Sequence, residues 1–463
     1  MHCTSSLDKL ADDILIQILQ ALSVREILTL RCTSKRYYSL SKLRCVWYAV
    51  FCAEVLARHL PPPGPSCSLS ALSSTDLEYR TLLALSLSLG WSRSKANVIV
   101  SSGARETVDQ IVLVPGGMQV LTVHGNKVVF WLISGKPGSH ELQNIEAWSL
   151  PGDDACMVVK DMECQGIIAI GSRDNPNRHA TVFSLSLKPT LNKLCDYSLI
   201  PGTVAGISRH LLFLDTTSQQ DGGGIEVLDW HTKTEGTALL PRIPDLFGAL
   251  LDLVHFSDHI LVMWEACISV FPVPHVPAEG RTVVAHTKVF MFYEHISSPI
   301  AFTTCVSRGW SGADTPVYAP PQETPSLTIA ARGKYGGICL TMLIRLDNDE
   351  GAKYPSSFPY RLLRLSPVVP NEIQDSGGCT QICLGSSGRG MFVFGGKVRL
   401  CAPSLLFMPP CEMQFGPEFE TEKVVYEIES GDVAGGDKVD FDEGMGRLVV
   451  AKERGGFDVV QLL

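Results

Sequence analysis

The sequence from about residue 96 onward consists of short runs of Val, Ile, Leu and Phe separated by Gly, Asp, Ser and Pro turns. The runs are five to eight residues long, and no helical periodicity interrupts them. Strands that follow one another without a helical crossover pair in antiparallel fashion. Roughly 360 residues of such sequence are too many for one β-sandwich. The pattern therefore predicts an all-β region built from repeats.

The repeated unit is about 50 residues long and contains four candidate strands, as a β-propeller blade requires. The first group comprises VDQIVLV, MQVLTVHG, KVVFWLIS and NIEAWSL, and another comprises TVAGIS, HLLFLDTT, GIEVLDWHT and EGTALLP. Similar groups begin near Ala155, Ala249, Ile300 and Gly378. We predict about seven blades, with six or eight as alternatives.

The last group has only three strands, namely DKVDFDE, GRLVVAKE and FDVVQLL. The run ANVIVSS at 96–102 precedes the first group and has no partner within it. As the outer strand of the last blade, this run would complete four strands and leave no open edge. We therefore predict that an N-terminal strand closes the propeller.

Two segments, IEVLDWHTKTEG and VVFWLISGKPG, resemble degenerate WD-repeat strands and their following turns, although no Gly-His signature accompanies them. Gly-Gly pairs at 336, 377, 395 and 435 keep kelch-like blades as an alternative. Either resemblance concerns the fold and indicates no ligand.

Residues 10–47 have a helical pattern instead. Apolar side chains recur at the i, i+4, i+8 spacing of one helical stripe, at Leu10, Ile14, Leu15, Ile18, Leu19 and Leu22. Asp12 and Asp13 would lie in the first turn, where carboxylates oppose the partial positive charge of a helix end. The pattern predicts a first helix over about 12–22.

Two further helices are predicted from their capping residues. Ser23 and Glu26 form a capping-box pattern that begins a second helix, which ends near Thr33. Ser34 can cap a third helix, after which Trp47 closes a three-helix unit.

The ordered residues of this unit resemble the F-box, the domain by which substrate receptors dock onto the Skp adaptor of cullin–RING ubiquitin ligases. Family positions are occupied by Leu10, Asp13, Ile14, Ile18, Leu19, Leu22, Leu30, Ser34, Lys35, Arg36 and Trp47, with Tyr37 for the first Trp and Thr33 for the Val. Ala11 replaces the family's Pro, so the rigid entry to the helix is lost and weaker adaptor binding is expected. A three-helix unit that merely covers the larger domain would explain the apolar stripe, but it would not explain the ordered Leu-Arg-x-x-Ser-Lys-Arg run.

The resemblance implies an adaptor-docking surface, which we predict to consist of Leu10, Ala11, Ile14, Leu15, Ile18, Leu22, Leu28 and Leu30. It implies a Skp-type adaptor, and through it a cullin–RING ligase, as partners. The combination of F-box and propeller resembles fungal-type F-box proteins.

The stretch PPPGPSCS at 61–68 is too rich in proline for a helix or a sheet interior. A helix is predicted after it, with Thr75 and Glu78 as its capping box and Gly90 at its end. We expect this helix to hold the F-box and the strand region at a fixed angle. The predicted domains are an F-box at 1–60, a linker with a bridging helix at 61–95 and a substrate-binding propeller at 96–463.

The charge, the hydropathy and the cysteine content of the chain limit the classes of function that it can have. A net charge of −9 without a basic tract argues against nucleic-acid binding. No apolar run approaches the 18 or so residues of a membrane span, and the first residues do not resemble a signal peptide. The fifteen cysteines include no CxxC pair, so a disulfide framework is not expected. These features predict a cytoplasmic or nuclear protein.

Candidate chemical motifs are weak. Two pairs have a spacing that would suit a metal site on a helix, namely Cys379 with Cys383 and His255 with His259. Both pairs lie in strand-like sequence, where residues four apart are too distant to share a metal. A hairpin turn at 257–258 would also separate the two histidines. The glycine-rich run at 385–390 lacks the Lys-Ser/Thr of a phosphate loop. We expect no metal, no cofactor and no enzymatic activity.

The negative charge is concentrated between residues 412 and 443, which contain eleven acidic residues and two lysines. One interpretation is an acidic lip that attracts a basic client segment, with Glu418, Glu420 and Glu422 as candidate client-binding residues. The alternative, which we favour, is a solvated blade edge whose charges prevent edge-to-edge pairing.

The sequence as a whole predicts a substrate-recognition subunit of a Skp–cullin–F-box ubiquitin ligase, whose F-box holds the adaptor and whose propeller holds a protein client. An adaptor-bound scaffold that delivers no ubiquitin is the first alternative. A propeller enzyme with an incidental helical cap is the second, and the adaptor stripe disfavours it.

Overall fold

Among the residues that the structure describes, the helices lie between residues 9 and 90 and the strands between residues 96 and 462. The structure is a computed structural model of the 463-residue chain. It describes residues 9–58, 60–64, 68–90, 96–103, 106–136, 139–151, 155–161, 166–172, 178–185, 191–217, 223–242, 248–292, 295–308, 323–333, 338–345, 358, 360–365, 379–385, 390–394, 397–401, 425–427, 438–452 and 455–462.

The described helices are α1 (Asp12–Ala21), α2 (Val24–Arg31), α3 (Lys35–Leu40), α4 (Arg44–Phe51) and α5 (Ser74–Gly90). A π-helical turn, Cys52–Leu56, continues α4, and a 3-10 turn, Leu69–Ala71, precedes α5. The prediction of three helices closed by Trp47 was therefore incomplete. Trp47 lies inside a fourth helix, α4, whose buried positions Val46, Trp47, Val50 and Phe51 follow helical spacing.

The predicted starts of α2 and α3 are confirmed. The backbone N–H of Glu26 donates to Ser23 Oγ at 3.4 Å, and the Ser23 N–H donates to Glu26 Oε2 at 2.9 Å, which completes a capping box. The side-chain and backbone hydrogen bonds from Ser23 hold the pKa of Glu26 below its ordinary value. Ser34 caps α3 by accepting from the N–H of Tyr37 at 3.2 Å.

The predicted capping box of α5 was wrong. Ser73 is the capping residue, since Asp76 N donates to Ser73 Oγ at 3.1 Å and Ser73 N donates to Asp76 Oδ2 at 3.1 Å. Thr75 already lies inside the helix. The carboxylate of Glu78 instead forms ion pairs with Arg31 and Lys42.

One hydrophobic core joins all five helices. Its buried members are Leu15, Leu19, Val24, Ile27, Tyr37, Leu40, Val46, Trp47, Val50, Phe51, Val55, Leu72, Leu77 and Ala84. Because Leu77 and Ala84 belong to α5, that helix shares the core of the F-box-like helices. We refer to residues 9–90 as the helical module.

The described strands form seven sheets, and the first four are as follows. Sheet 1 contains β2 (Gln110–Leu113), β3 (Gln119–His124), β4 (Lys127–Lys136) and β5 (Ser139–Ser149). Sheet 2 contains β6 (Cys156–Lys160), β7 (Ile167–Ser172), β8 (Arg178–Leu185) and β9 (Leu191–Ile200). Sheet 3 contains β10 (Thr203–Ser208), β11 (Leu211–Asp215), β12 (Gly224–Asp229), β13 (Thr237–Pro241) and β17 (Arg281–Val283). Sheet 4 contains β14 (Leu250–Phe256), β15 (His259–Trp264), β16 (Cys267–Pro272) and β18 (Lys288–Met291).

The remaining sheets complete the β-sheet body. Sheet 5 contains β19 (Ile296–Arg308), β20 (Glu323–Gly333), β21 (Ile338–Arg345) and β22 (Tyr360–Leu365). Sheet 6 contains β23 (Cys379–Leu384), β24 (Gly390–Phe394), β25 (Lys397–Cys401) and β26 (Val425–Glu427). Sheet 7 contains β27 (Val439–Asp442), β28 (Arg447–Ala451), β29 (Phe457–Leu462) and β1 (Ala96–Ser101). The strand groups expected from the sequence correspond to these sheets.

Strand β17 was not predicted. It lies in the connection between β16 and β18 of sheet 4, yet it pairs in parallel with β13 of sheet 3. Thr237 N donates to Gly280 O and Val284 N donates to Leu239 O, each at 2.9 Å. A three-residue strand shows no alternation, so its pairing depends on the neighbouring sheet and not on a local pattern.

Strand β1 pairs antiparallel with β29, with Val98 opposite Val460 and Ser101 opposite Asp458. The first strand of the β-rich sequence thus lies in the same sheet as the last three described strands. This pairing joins residues more than 350 positions apart, and Ser101 Oγ also donates to the Asp458 carboxylate.

Removing β1 tests the importance of this pairing. A chain that begins at residue 103 lacks β1, whereas a chain that begins at residue 91 keeps it. Without β1, the backbone N–H and C=O groups along one edge of β29 lose their partners. We expect the shorter chain to aggregate while the longer one stays monodisperse, as measured by light scattering and sedimentation.

The two chains are matched because both lack the helical module and differ only in residues 91–102. Equal scattering together with equal melting temperatures would show that β1 contributes nothing to the last sheet.

Candidate functional site

Helix α1 carries two apolar faces. Leu15 and Leu19 are buried in the core of the helical module. Ile14, by contrast, is 44% exposed, and Ile18 and Leu22 are half-buried. Since the core is already filled by the inner face, the strip of Ile14, Ile18 and Leu22 is available to a partner.

The predicted docking residues separate into three groups. Leu10, Ile18, Leu22, Leu28 and Leu30 are half-buried and pack against the core on one side. Ala11 and Ile14 are exposed. Leu15 is 2% exposed, so the prediction that it contacts a partner is not supported by its position. Its side chain lies on the inner face of α1 and fixes that helix on the core.

The entry to α1 is held by Arg36. Ala11, which replaces the family's proline, is the capping residue of α1 and provides no side-chain hydrogen bond. Arg36 Nη2 donates to the carbonyl of Leu10 at 2.6 Å, and Arg36 Nε donates to Asp12 Oδ1 at 2.9 Å. The Ser-Lys-Arg part of the motif therefore serves the fold, because Ser34 caps α3 and Arg36 positions the start of α1.

The centre of the helical module is Trp47, whose side chain is fully buried. Trp47 Nε1 donates to the carbonyl of Ser41 at 2.8 Å. The guanidinium carbon of Arg31 lies 5.6 Å from the Trp47 ring centroid, and Arg31 Nε donates to Ser41 Oγ at 2.9 Å. These contacts connect α2, α3 and α4 around one side chain.

Glu78 of α5 forms two ion pairs with the F-box-like helices. Its carboxylate accepts from Arg31 Nη1 at 2.6 Å and from Lys42 Nζ at 2.9 Å. Burial opposes ionisation of Glu78, but the hydrogen bonds from Arg31 and Lys42 outweigh it and hold the pKa of Glu78 below its ordinary value. The sequence indicated Glu78 as a cap, and only the structure shows this role.

The helical module touches the β-sheet body at the turn between β27 and β28. A Cβ added at Gly444 would lie 2.7 Å from the carbonyl oxygen of Pro62, and one added at Gly446 would lie 2.4 Å from Leu87 Cδ2. A side chain at Gly444 would therefore clash with the backbone of Pro62, and one at Gly446 would displace the side chain of Leu87. Nothing in the sequence alone marks these two glycines as contact positions.

The same turn is fixed from within the body. Asp442 Oδ2 accepts from the N–H of Gly116 at 2.6 Å, and its Oδ1 accepts from the N–H of Met445 at 2.8 Å. Arg447 Nη1 donates to the carbonyl of Gly117 at 2.7 Å. The surface on which α5 rests is thus held by hydrogen bonds to sheet 1.

A cavity of about 320 Å³ lies near the other end of β27. Its lining includes Asp109, Gln110, Lys160, Gln381, Lys438 and Asp440. Lys160 Nζ lies 2.6 Å from Asp440 Oδ2, and Lys438 Nζ donates to the carbonyl of Val108 at 2.6 Å. Because β27 begins at this cavity and ends at the turn under α5, the two features lie at opposite ends of one strand.

The predicted client-binding residues Glu418, Glu420 and Glu422 lie outside the described residues. Three other acids of the same stretch have described side chains, and none of these three belongs to a solvated edge or an exposed lip. Asp440 bonds Lys160, Asp442 bonds backbone N–H groups, and Glu443 is buried. These three carboxylates therefore interact with, or are buried among, other residues of the β-sheet body.

The two candidate metal pairs do not form a cluster. His255 is the last residue but one of β14 and His259 begins β15, so a hairpin turn separates them, as the sequence indicated. His255 Nδ1 lies 2.9 Å from Ser208 Oγ, whereas the His259 ring packs against Phe358. Within the described ranges, no three metal-ligating side chains come together. Cys379 and Cys383 lie on the same strand, β23.

No described helix has both the length and the apolar character required to cross a membrane.

The fold and the exposed strip of α1 define a two-part protein, in which a small helical docking module is attached to a body of β-sheets. Residues 7–49, which contain the first helices of that module, match the family model of the F-box domain. The search of curated proteins found no match to this chain. An F-box domain implies a substrate receptor of a Skp–cullin–F-box ubiquitin ligase, with a Skp-type adaptor as partner. The β-rich body is compatible with a propeller-like protein-binding domain.

Glu78 provides a test of how α5 is joined to the F-box. Changing Glu78 to Gln leaves the partly buried Arg31 without its carboxylate, and we expect the helical module to lose roughly 2 to 4 kcal/mol of unfolding free energy. Unfolding is followed by circular dichroism at 222 nm, since the described α-helices all lie in this module. The stabilisation is present above the ordinary Glu pKa of 4.5 and is lost as the pH falls through the lowered pKa of folded Glu78. The difference between wild type and variant should therefore shrink in acid.

Glu54→Gln is the matched control. Glu54 pairs with Arg58 on the surface, four residues along the chain, and such exposed pairs contribute about 0.5 kcal/mol or less. Equal effects of the two substitutions would show that the Glu78 pairs do not join α5 to the F-box.

Proposed function

We propose that this protein is the substrate-recognition subunit of a Skp–cullin–F-box ubiquitin ligase, whose F-box docks the adaptor and whose β-sheet body binds a protein client. The observation that carries the adaptor part is the exposure of Ile14 on a helix whose inner face is already buried. The docking surface we propose consists of Ile14, Ile18 and Leu22, with Leu10, Ala11, Leu28 and Leu30 around them. Such a receptor acts in the cytoplasm or nucleus.

We further propose that the seven sheets are the blades of a β-propeller that β1 closes. Contacts between the sheets support this arrangement. The first strand in each sheet, from β2 of sheet 1 to β27 of sheet 7, or the residue that follows it, touches the first strand of the next sheet, and β27 of sheet 7 touches β2 of sheet 1. The contacts are Gln110 to Val158, Asp161 to Ile207, Ser208 to His255, β14 to β19, β19 to β23, Cys383 to Val439 and Asp440 to Leu113. The Lys160–Asp440 pair joins sheets 2 and 7 across sheet 1, which fits first strands that surround a common centre.

The client part of the proposal rests on the opposite positions of the helical module and the cavity along β27. In this arrangement the client would be held at the cavity, at the end of β27 that lies away from the turn under α5. The chain itself would perform no chemistry, and ubiquitin transfer would be carried out by the ligase partners. Glu418, Glu420 and Glu422 remain our proposed contacts for a basic client segment.

The docking strip can be tested by replacing Ile14 and Ile18 with Asp. Two carboxylates would then face an apolar partner, each left unpaired at a cost of about 2 kcal/mol or more, so the affinity should fall about 1,000-fold or more for the pair. We expect the adaptor to be lost from co-purification and ubiquitination of a bound client to stop, while the β-sheet body keeps its circular dichroism spectrum.

Val283→Asp together with Met291→Asp is the control, because both side chains are at least half exposed on the body. Adaptor recovery at wild-type levels with the α1 variant would exclude this docking surface. A client that binds but is never ubiquitinated, despite adaptor binding, would instead indicate an adaptor-bound scaffold.

The acidic residues are tested by salt and by charge removal. If Glu418, Glu420 and Glu422 attract a basic client, capture should weaken as salt rises, because exposed charges are screened over about 8 Å at physiological ionic strength. Changing all three to Gln should weaken capture without changing adaptor binding. Client recovery at increasing salt is the measurement.

Glu141, Glu235 and Glu279 are exposed carboxylates elsewhere on the body, and their change to Gln provides the matched control. If capture responds neither to salt nor to loss of the three proposed residues, the client is bound elsewhere.

A further inference from the structure

An open groove of about 610 Å³ lies between α2 and α5 of the helical module. Its described lining consists of Val24, Arg25, Leu28, Thr29 and Cys32 from α2 and its C-cap, with Leu82 and Leu85 from α5. No described residue of the β-sheet body lines it. The groove therefore belongs to the helical module alone.

The walls of the groove are apolar. Val24, Leu28 and Cys32 are four residues apart and form one stripe of α2, and Leu82 and Leu85 form a matching stripe of α5. Leu28, Leu82 and Leu85 are half-buried, since each packs against the module core on one side and faces the groove on the other. Two leucine-bearing helix faces on opposite sides of a groove match the way an amphipathic helix is held by its partner.

The groove continues the F-box. Five of its seven lining residues fall within residues 7–49, and Leu28 also belongs to the docking set predicted from the sequence. Leu82 and Leu85 lie more than thirty residues beyond the end of the matched domain. The F-box supplies one wall, and a helix outside the F-box supplies the other.

We propose that the adaptor-docking surface extends beyond the F-box onto α5, and that an apolar helix of the Skp-type adaptor fills the groove between α2 and α5. This inference rests on the proposed function. Arg25 is exposed at the rim of the groove, so the adaptor helix should carry an acidic side chain at the corresponding position.

The position of α5 explains why the adaptor, rather than the client, fits this groove. Leu87 of the same helix is buried against Gly446 of the body, and Leu77 is buried in the module core. The faces of α5 are thus divided between the body, the core and the groove. An adaptor bound in the groove would contact α5, the helix that sets the angle between the F-box and the body. Helix α5 would thereby position the client relative to the adaptor.

The test uses the full-length protein and a purified Skp-type adaptor. Replacing Leu82 and Leu85 with Ala removes one wall of the groove, and we expect the dissociation constant to rise about tenfold or more. Leu89→Ala is the matched control, because Leu89 lies on the same helix, is 67% exposed and does not line the groove. Ile14→Asp, which acts on α1 alone, serves as the reference for loss of adaptor binding.

A second measurement needs no substitution and so does not depend on the folding of a variant. In hydroxyl-radical footprinting of the wild-type protein, adaptor binding should reduce oxidation of Leu82 and Leu85 and leave that of Leu89 unchanged. Protection that appears without adaptor as the protein concentration rises would identify a second copy of this chain as the occupant and overturn the inference.

The outcomes separate the inference from the function on which it rests. If Ile14→Asp abolishes adaptor binding while the α5 variant binds normally and its leucines stay unprotected, the docking surface ends with the F-box and the proposed function stands. If wild-type protein binds no adaptor at all, the proposed function fails together with the inference. Weakened binding of the α5 variant, with protection of both leucines, supports the inference.

Discussion

Burial of Trp47 in a core shared by five helices is the interaction on which the rest of the structure depends. The ring is fully buried, its N–H donates to the Ser41 carbonyl, and Arg31 lies against its face. Emptying such a position typically costs about 3 to 5 kcal/mol, a large share of the stability of a small domain. With this core in place, α1 presents Ile14 to a partner, and α5 is joined to the F-box through Leu77 and the Glu78 ion pairs.

Helix α5 contacts both the F-box helices and the β-sheet body. Leu87 rests on Gly446, and the turn that carries Gly446 is held by Asp442 and Arg447 through sheet 1. A receptor that acts by proximity needs this kind of rigid connection, because a client lysine must reach a fixed point on the ligase. The glycines matter here for their lack of a side chain, which permits close approach.

The charged residues of the body serve the fold more than the surface. Asp440 joins sheets 2, 7 and 1 by bonding Lys160 and the N–H of Leu113, and Asp442 organises the turn under α5. The local sequence shows only a run of acids and gives no sign of which are buried. Burial depends on strands that are hundreds of residues away in the chain, and this is why sequence reasoning assigned all of these acids to the surface.

The sequence by itself determined the local features: the helix starts at Ser23 and Ser34, the F-box motif, and the grouping of short strands, because caps and periodicity act over a few residues. Only the tertiary structure decided that Leu15 faces inward while Ile14 faces outward, that Glu78 forms ion pairs instead of a cap, and that β17 pairs with a neighbouring sheet. It also decided that Leu82 and Leu85 face α2 across a groove. These features depend on contacts between segments far apart in the chain, and such contacts form only when the whole chain has packed.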